Sequence, residues 1–429
     1  MAERTVLIRG GTVVDATGSR PADVLVAGGR VGAVGAGLAR PAGATVLDAE
    51  GCVVAPGLVD LHTHLRQPGR EEAETVETGA RAAALGGYTA VLAMPNTEPA
   101  IDTAAVVREV LELGTTVTCD VRVAGAITKG RLGRELAPMG EMADLGVRLF
   151  TDDGAGVQDA RLMRRALEYA SALGVTLAQH CEDETLAGGG HMHEGEWSSR
   201  LGLPGMPAEA EELMVARDIA LTRLTGGRIH FLHLSTAGSV DAVRAAKAEG
   251  LAVTAEAAPH HFTLTDAVVA TYDTSFKVNP PLRSPSDVEA VKAGLADGTI
   301  DAIATDHAPH APEDKDVPFD EARPGMLGLE TALALALTEL DLPVEAVLRL
   351  LSWAPARIAG LEATHGGPVV EGYVAHLCVF DPAATWVVDP DALASRSRNT
   401  PYAGRKLTGR VRHTLLRGEP VVVDGEAQR

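Results

Sequence analysis

The sequence predicts an α/β protein, a (β/α)8 TIM barrel joined to a small β-sandwich domain built from both chain termini. Three observations predict this class. The two ends of the chain are rich in β-type runs, and the middle alternates about eight apolar runs with helical stretches. Histidines and aspartates stand where several of those runs stop, as they do at the rim of a barrel.

The β-rich ends have the same texture. Short apolar runs separated by Gly-Gly turns occupy residues 6–15 and 23–31, and similar runs return at 375–381, 411–416 and 420–425. We therefore predict one small β domain from residues 1–55 and 362–429. Residues 56–361 would form the barrel.

The middle of the chain supplies the expected strand count. Apolar runs lie around residues 53–54, 90–94, 121–125, 146–150, 175–178, 229–232, 251–254 and 300–304, with helical stretches such as 161–173 and 208–224 between them. A doubly wound open sheet is the structural alternative. The barrel is favoured because no glycine-rich phosphate-binding fingerprint follows any of these runs.

Composition narrows the class of protein. Hydrophobic residues at 46% and charged residues at 22% are typical of a globular protein. The net charge of -20 argues against nucleic acids or anionic membranes as partners. The first residues lack the apolar core of a signal peptide, and no stretch has the apolar length of a membrane span. Four scattered cysteines without a CxxC pair indicate buried thiols, so we expect a cytoplasmic protein.

Candidate metal ligands follow the strands in order. His62 and His64 are two residues apart, so on an extended chain they share one face. The carboxyl ends of barrel strands meet at one rim, where this set of six should converge: His62, His64, Asp153, His180, His233 and Asp306.

Six ligands exceed the three that a catalytic zinc usually takes from the protein. The set therefore predicts two metal ions that share a carboxylate. Such a pair lowers the pKa of a bound water and polarises a carbonyl oxygen, which suits hydrolysis of an amide-like bond. Arg66, two residues after His64, would stand beside the metals and hold an anionic substrate.

Two segments carry a family resemblance. Asp-Leu-His-Thr-His-Leu-Arg-Gln-Pro at 60–68, and Ala-Thr-Asp-His-Ala-Pro-His at 304–310 followed by Lys315, resemble the signature segments of dihydroorotases in the amidohydrolase superfamily. Further matches lie at 93–97, 150–154, 179–182, 233–236, 259–261 and 277–283. The resemblance covers essentially the whole chain and points to the long bacterial type.

The resemblance implies a zinc-dependent enzyme with two Zn2+ ions per subunit. His62, His64 and Asp153 would hold one ion, with Asp306 also reaching it, and Asp153, His180 and His233 the other. Many relatives bridge their metals with a carboxylated lysine. This chain has no lysine between Lys129 and Lys247, so Asp153 is the expected bridge, with Asp152 as the alternative.

The implied reaction is the reversible cyclisation of N-carbamoyl-L-aspartate to L-dihydroorotate in pyrimidine (UMP) biosynthesis. Asp306 would act as the catalytic base, taking a proton from the attacking water and delivering it to the ring nitrogen. The implied substrate contacts are His64, Arg66, Asn96, Asn279, His310, Pro324 and Gly325. A turn-making role is the alternative for the two asparagines, which lie next to prolines.

Other residues have simpler interpretations. Alternation along the strand turns Cys181 away from His180, which predicts a buried thiol and not a ligand. We expect structural or supporting roles for His260 and His261, solvated loop positions for His191 and His193, and no function for His376 in the β domain. Residues 312–324 predict a polar, mobile loop, either a lid over the site or a solvated surface loop.

Rival functions remain to be separated. Hydantoinases and allantoinases share the fold and metals, but they generally use the lysine that this chain lacks. A non-catalytic scaffold for a partner enzyme would have lost metal ligands, and this chain keeps all six. The resemblance also implies a homo-oligomer that can associate with aspartate carbamoyltransferase, and the net charge of -20 predicts no nucleic-acid or membrane partner.

Overall fold

A computed structural model describes residues 5–429. Residues 1–4, which belong to the predicted β domain and to the segment that argues against a signal peptide, lie outside the described residues. The strands in chain order are β1 Val6–Arg9, β2 Thr12–Asp15, β3 Gly18–Pro21, β4 Asp23–Ala27, β5 Arg30–Gly35, β6 Thr45–Asp48, β7 Val53–Pro56, β8 Leu58–Thr63, β9 Tyr88–Ala93, β10 Asp120–Val123, β11 Leu149–Phe150, β12 Thr176–Gln179, β13 Met192–His193, β14 Gly205–Met206, β15 Ile229–Phe231, β16 Val253–Ala257, β17 Ala302–Ile303, β18 Leu377–Val387, β19 Lys406–Leu416, β20 Glu419–Val423 and β21 Glu426–Ala427.

Helices fill the connections between the barrel strands. They are α1 Val76–Leu85, α2 Ala104–Leu113, α3 Met139–Asp144, α4 Ala160–Leu173, α5 Glu184–Ala187, α6 Glu196–Leu201, α7 Glu209–Thr225, α8 Ala237–Ala248, α9 Pro259–Thr263, α10 Pro285–Asp297, α11 Pro312–Lys315, α12 Ala332–Glu339, α13 Val344–Leu348 and α14 Ala354–Ile358. Among residues 5–429, no helix combines the length and apolarity needed to cross a bilayer.

Eight parallel strands close into a barrel, as the sequence predicts. β8, β9 and β10 pair in one run, and β11, β12, β15, β16 and β17 pair in another. Parallel bridges between Gly125 and Phe150 and between Thr63 and His307 join the two runs into a ring. An open sheet would leave two unpaired edges, so the doubly wound alternative is wrong.

The first barrel strand differs from the prediction. The apolar run at 53–54 belongs to β7, which pairs with β2 and β18 in the terminal sheet. The barrel starts after the Pro-Gly break, with β8. Gly57 makes that switch possible, because a Cβ there would lie 2.2 Å from the side chain of Thr89.

The helix boundaries follow from their caps. The side chain of Asp159 accepts a hydrogen bond from Leu162 N at 2.7 Å and starts α4, and Gly174 ends it with a φ of 69°. Ser284 and Asp287 form a reciprocal capping box at the start of α10, with Pro285 as the first helical residue. The predicted helical stretches therefore correspond closely to α4 and α7.

The terminal segments build two facing sheets. One has the order β5-β4-β1-β6, and the other β21-β20-β19-β18-β7-β2-β3. Buried aliphatic side chains from both sheets share one core, including Val6, Val24, Val54, Val379 and Leu415. This confirms a β domain assembled from both termini, while its residue boundaries stay a prediction.

Candidate active site

The six predicted ligands converge at the carboxyl-terminal rim of the barrel. His62 and His64 lie at the end of β8, and the others follow β11, β12, β15 and β17. All six are buried; His62 has no exposed surface and the most exposed ligands reach only 5%. Strand order alone brings residues from positions 62 to 306 into one cluster.

One group of donor atoms surrounds the end of β8. His62 Nε2 lies 3.4 Å from Asp153 Oδ1 and 3.5 Å from Asp306 Oδ1. His64 Nε2 lies 3.1 Å from the same Asp306 oxygen and 3.6 Å from Asp153 Oδ2. In each of these four side chains, a nitrogen or oxygen that can carry a lone pair points toward the other three.

A second group shares Asp153. Its Oδ1 lies 3.5 Å from His180 Nδ1 and 3.6 Å from His233 Nε2, and those two ring nitrogens are 3.0 Å apart. The two carboxylate oxygens of Asp153 therefore reach both groups.

The donor atoms fit metal ions. Tetrahedral ligands at metal–ligand distances near 2.0–2.2 Å are separated by about 3.4 Å, close to the spacings found here. His62 Nε2 is buried without any hydrogen-bond partner, although carboxylates surround it. Histidine and aspartate are borderline-to-hard donors that suit zinc and neighbouring divalent ions. The donor set of this cluster therefore suits a divalent metal.

The charges of the cluster support cation binding. Burial alone would lower the pKa of His62, but Asp153 and Asp306 raise it well above its ordinary value. Burial alone would raise the pKa of Asp153, yet the neighbouring histidines hold it well below its usual range. Without a metal, a second proton on His62 balances these carboxylates, and a bound cation would take the place of that proton and leave His62 Nε2 as a ligand.

Hydrogen bonds to the far ring nitrogens fix the histidine tautomers, one to Glu256, which was not predicted, and one to Asn96, which was predicted as a substrate contact. Glu256 on β16 accepts from His62 Nδ1 and from His230 Nε2, each at 3.0 Å. Asn96 Oδ1 lies 2.9 Å from His64 Nδ1. With Nδ1 protonated, Nε2 of His62 and His64 presents its lone pair to the cluster. The alternation of side chains along β16 could have suggested that Glu256 points inward. No sequence pattern marks a single buried glutamate as a partner of a histidine.

His180 has a carboxylate on its other nitrogen as well. Glu182 Oε2 lies 3.6 Å from His180 Nε2 and accepts from Asn279 Nδ2 at 2.7 Å. Glu182 was not among the predicted site residues. It links a metal-facing histidine to a predicted substrate contact.

Three site residues are held in strained backbone conformations. Arg66, His233 and Asp306 have φ values of 61°, 31° and 47°. A non-glycine residue in this region costs roughly 1–3 kcal/mol, which the surrounding contacts must offset. Near Asp306, the buried Asp60 accepts from Thr305 N at 2.8 Å and from Thr305 Oγ1 at 2.6 Å.

The loop carrying His233 is held from α7. Glu211 accepts from Ser235 N and Thr236 N, both at 3.1 Å, and from both hydroxyls. A buried carboxylate with four donors fixes this turn. These contacts aim His233 and were invisible in the sequence.

The choice between the neighbouring aspartates is clear in the structure. Asp152 turns away from the cluster and accepts from Ile127 N at 2.9 Å and Thr128 N at 3.0 Å. Of these two neighbours, only Asp153 faces the histidines. Strand alternation separates the two carboxylates, as the sequence predicts.

A cavity of about 350 Å³ opens onto the cluster. It is lined by all the predicted ligands except the fully buried His62, and by every predicted substrate contact. Three further arginines, Arg70, Arg131 and Arg323, also line it and were missed. The cavity is therefore cationic despite the acidic chain.

Arg66 is the cation nearest the floor of the cavity. It is only 7% exposed and donates through Nε to Pro309 O at 3.1 Å. Burial and the nearby Arg70 lower its pKa to about 10, so it stays protonated at neutral pH. Among residues 5–429, it has no carboxylate within 4.0 Å, so its charge is free to pair with an anionic ligand.

The remaining predicted substrate contacts differ in how free they are. Asn279 Oδ1 is buried and has no partner in the described chain, which leaves an acceptor for a ligand. His310 Nε2 donates to Pro324 O at 2.8 Å, and Gly325 N donates to Lys277 O at 2.8 Å. A Cβ on Gly325 would lie 2.8 Å from His310 Nε2, so only glycine keeps this wall in place.

Several other expectations can be checked. All four cysteines are buried free thiols, and Cys181 Sγ points to Gln179 O, as predicted. His261 Nε2 donates to Pro280 O at 3.1 Å, a structural role. His260 Nε2 lies 3.9 Å from Asp306 Oδ2, close enough to support the site without joining it.

The expectation for one loop was wrong. His191 and His193 are partly buried and face Lys277 and Arg283, because the loop folds back as β13 and β14. Most of the segment 312–324 is exposed, and whether it is a lid or a solvated loop stays a prediction, but Lys315 within it is buried. Its Nζ donates to Thr274 O and Arg323 O at 3.0 Å and 2.8 Å. The polar sequence of the segment does not indicate that backbone carbonyls bind Lys315.

Comparisons with known proteins agree with this geometry. The family described as Dihydro-orotase-like matches residues 51–239. A protein named dihydroorotase from Pelotomaculum thermopropionicum is 52% identical over 98% of this chain and 99% of its own. One from Streptomyces coelicolor is also 52% identical, over 98% and 99%. The solved L-hydantoinase (dihydropyrimidinase) from Arthrobacter aurescens superposes with a TM-score of 0.88 at 26% identity, covering 99% of this chain and 97% of that chain.

Proposed function

The chain belongs to the dihydroorotase family of cyclic-amide hydrolases, and we propose that its rim cavity interconverts L-dihydroorotate and N-carbamoyl-L-aspartate. This is a ring-closing step of pyrimidine biosynthesis. The observation that carries the proposal is Arg66, a buried cation free of carboxylate partners, beside a ring of metal-type ligands. A cyclic amide with a carboxylate needs both parts of this site.

We propose two zinc ions as the metal content. His62, His64, Asp153 and Asp306 would hold one, and Asp153, His180 and His233 the other. When bound, the pair acidifies water and polarises the amide carbonyl. Support comes from the shared carboxylate of Asp153, which reaches both groups in place of the lysine absent from this part of the chain.

The protein groups divide the remaining work. Arg66 would pair with the substrate carboxylate, helped by the amide nitrogen of Asn96, and His310 would line the same side of the cavity beside Arg66. Asn279 Oδ1 would accept from a ring N–H, and the backbone of Pro324 and Gly325 would border the ring. These contacts orient the amide carbonyl toward the rim cluster.

Asp306 is the proposed base. Its carboxylate reaches into the cavity and is held ionised, because the nearby histidines lower its pKa despite burial. It would accept a proton from the attacking water and return it to the departing ring nitrogen. Ring closure uses the same proton path in reverse.

We also propose, from family membership, a cytoplasmic homo-oligomer that associates with aspartate carbamoyltransferase. The domain limits 1–55, 56–361 and 362–429 are part of the same proposal. Size measurement of the purified chain, alone and mixed with that partner, tests the assembly.

The decisive test is substrate choice. The purified, zinc-loaded chain should hydrolyse dihydroorotate with a kcat/KM at least about a hundredfold above that for hydantoin or allantoin, since those lack the carboxylate that Arg66 would bind. Metal analysis of the same sample should find at least two zinc ions per chain. Preference for hydantoin, or no turnover of dihydroorotate with both metals present, would overturn the assignment.

A further inference from the structure

A second group of metal-type side chains lies at the opposite end of the barrel. Asp120 begins β10, so its side chain is at the amino-terminal face, away from the catalytic rim. His365 lies between α14 and β18, and His376 directly precedes β18. Each offers a donor atom within 4.8 Å of the other two, and all three residues are buried.

The hydrogen bonds of His365 leave one ring nitrogen bare. The hydroxyl of Thr364 donates to Leu361 O at 3.3 Å, so its oxygen accepts from His365 Nδ1 at 3.0 Å. Neutral histidine carries one proton. Nε2 of His365 then has a lone pair, is fully buried, and has no hydrogen-bond partner among residues 5–429.

That lone pair faces a carboxylate. His365 Nε2 lies 3.4 Å from Asp120 Oδ2, and two acceptors repel at this distance unless a cation lies between them. The ring of His376 stacks on His365 with centroids 4.1 Å apart, and because an imidazole lone pair lies in the ring plane, His376 must turn out of this stack to add a third donor. Arg417 N donates to His376 Nδ1 at 3.4 Å, a long hydrogen bond whose loss costs little free energy.

We propose that Asp120, His365 and His376 hold a divalent transition-metal ion of the zinc class, separate from the catalytic metals. Two imidazoles and one carboxylate are a donor set that zinc takes, with water available as a fourth ligand. The ion would join the barrel floor to the start of β18. Its role would be to stabilise the junction between barrel and β domain, because no residue of the rim cavity takes part.

The positive charge of Arg417 would repel this ion, and this gives a test in which a substitution increases the affinity for metal. Its guanidinium pairs with Asp120 Oδ1, which leaves Oδ2 for a metal, and its side chain is 57% exposed. Removing this positive charge should strengthen binding. We expect Arg417→Gln to tighten the site roughly tenfold.

The experiment measures metal content in the full chain. Equilibrium dialysis against micromolar Zn2+, followed by elemental analysis, should show that His365→Gln and His376→Gln each lose one metal equivalent relative to the wild type. Both should keep dihydroorotate turnover and a cooperative unfolding transition. His376→Asp, which supplies a carboxylate in place of the imidazole, should keep the metal equivalent that His376→Gln loses.

Two results would overturn the proposal. Equal metal content in the wild type and both glutamine variants would mean that the cluster is a hydrogen-bonded ion pair only. An Arg417→Gln variant that binds no more tightly would contradict a cation at Asp120, and misfolding cannot produce the expected gain. A catalytic failure with the extra equivalent retained would instead count against the proposed function.

Discussion

At the scale of single residues, the surroundings of one ring nitrogen decide what the other can do in three of the four metal-facing histidines. His62, His64 and His180 direct one ring nitrogen toward Glu256, Asn96 or Glu182, and this leaves the other facing the cluster. Ligand quality therefore depends on side chains that never touch a metal.

Asp153→Ala should remove most bound metal and lower activity by more than about a hundredfold, because both ligand groups share this carboxylate. Elemental analysis and the dihydroorotate assay measure the two effects. Asp152→Asn is the matched control, since that side chain faces the 127–128 backbone. Retention of the full wild-type metal content by Asp153→Ala would exclude the bridging role.

Arg66→Met should raise KM for dihydroorotate and lower kcat/KM by roughly 10- to 150-fold, the value of a charge-assisted hydrogen bond. Metal content should not change, since Arg66 contacts Pro309 O and His310 and none of the proposed metal ligands. Steady-state kinetics with metal analysis checks both. An unaltered KM would show that the substrate carboxylate binds elsewhere.

At the scale of elements, β16 supplies orientation without supplying a ligand. Glu256 stands between His62 on β8 and His230 on β15, so three strands are tied together inside the barrel. Hydrogen bonds to both histidines lower its pKa to about 2 against the effect of burial. An ionised acceptor keeps a proton on His62 Nδ1.

Glu256→Gln should weaken metal binding about 10- to 100-fold, because an amide cannot accept from both histidines and the tautomer of His62 is no longer fixed. Competition with a chromophoric chelator measures the affinity. Thr254→Val is the control: it removes only the contact to His230 Nδ1 at 2.9 Å. Equal affinity in Glu256→Gln and the control would contradict the positioning role.

At the scale of the whole molecule, the C-terminal region reaches back to the rim. Asn399 donates to Ala308 O and Gly325 O at 3.0 Å and 3.1 Å, so it holds two residues of the cavity wall. Glu330 accepts from Ala394 N at 2.8 Å along the same junction. Burial raises the pKa of Glu330 to about 7.

The contribution of Glu330 to the free energy of unfolding should therefore fall as pH rises from about 4.5 to about 7. In this range the unfolded chain ionises Glu330 and the folded chain keeps it protonated. Glu330→Gln should remove this contribution and be more stable than the wild type at pH 8 by about 1–3 kcal/mol. Urea unfolding from pH 5 to 8, at fixed metal concentration, tests the difference. Parallel pH curves for the two proteins would rule it out.

Much of the site followed from order along the chain. Ligands placed at successive strand ends must meet at one rim, so His62, Asp153, His180 and Asp306 needed only the strand count to be brought together. The choice of Asp153 over Asp152 needed only alternation. Motif spacing carried the family, which the relatives confirm.

What only the tertiary structure decided is which distant groups meet. Glu256, Glu211 and Arg131 act on the rim through contacts between elements, and the burial of Lys315 depends on carbonyls from other segments. The cluster of Asp120, His365 and His376 joins residues with no shared motif. Periodicity and spacing describe a chain's neighbours in sequence, whereas hydrogen-bond partners and desolvation are set by packing, and these decide the tautomers and charges of the site.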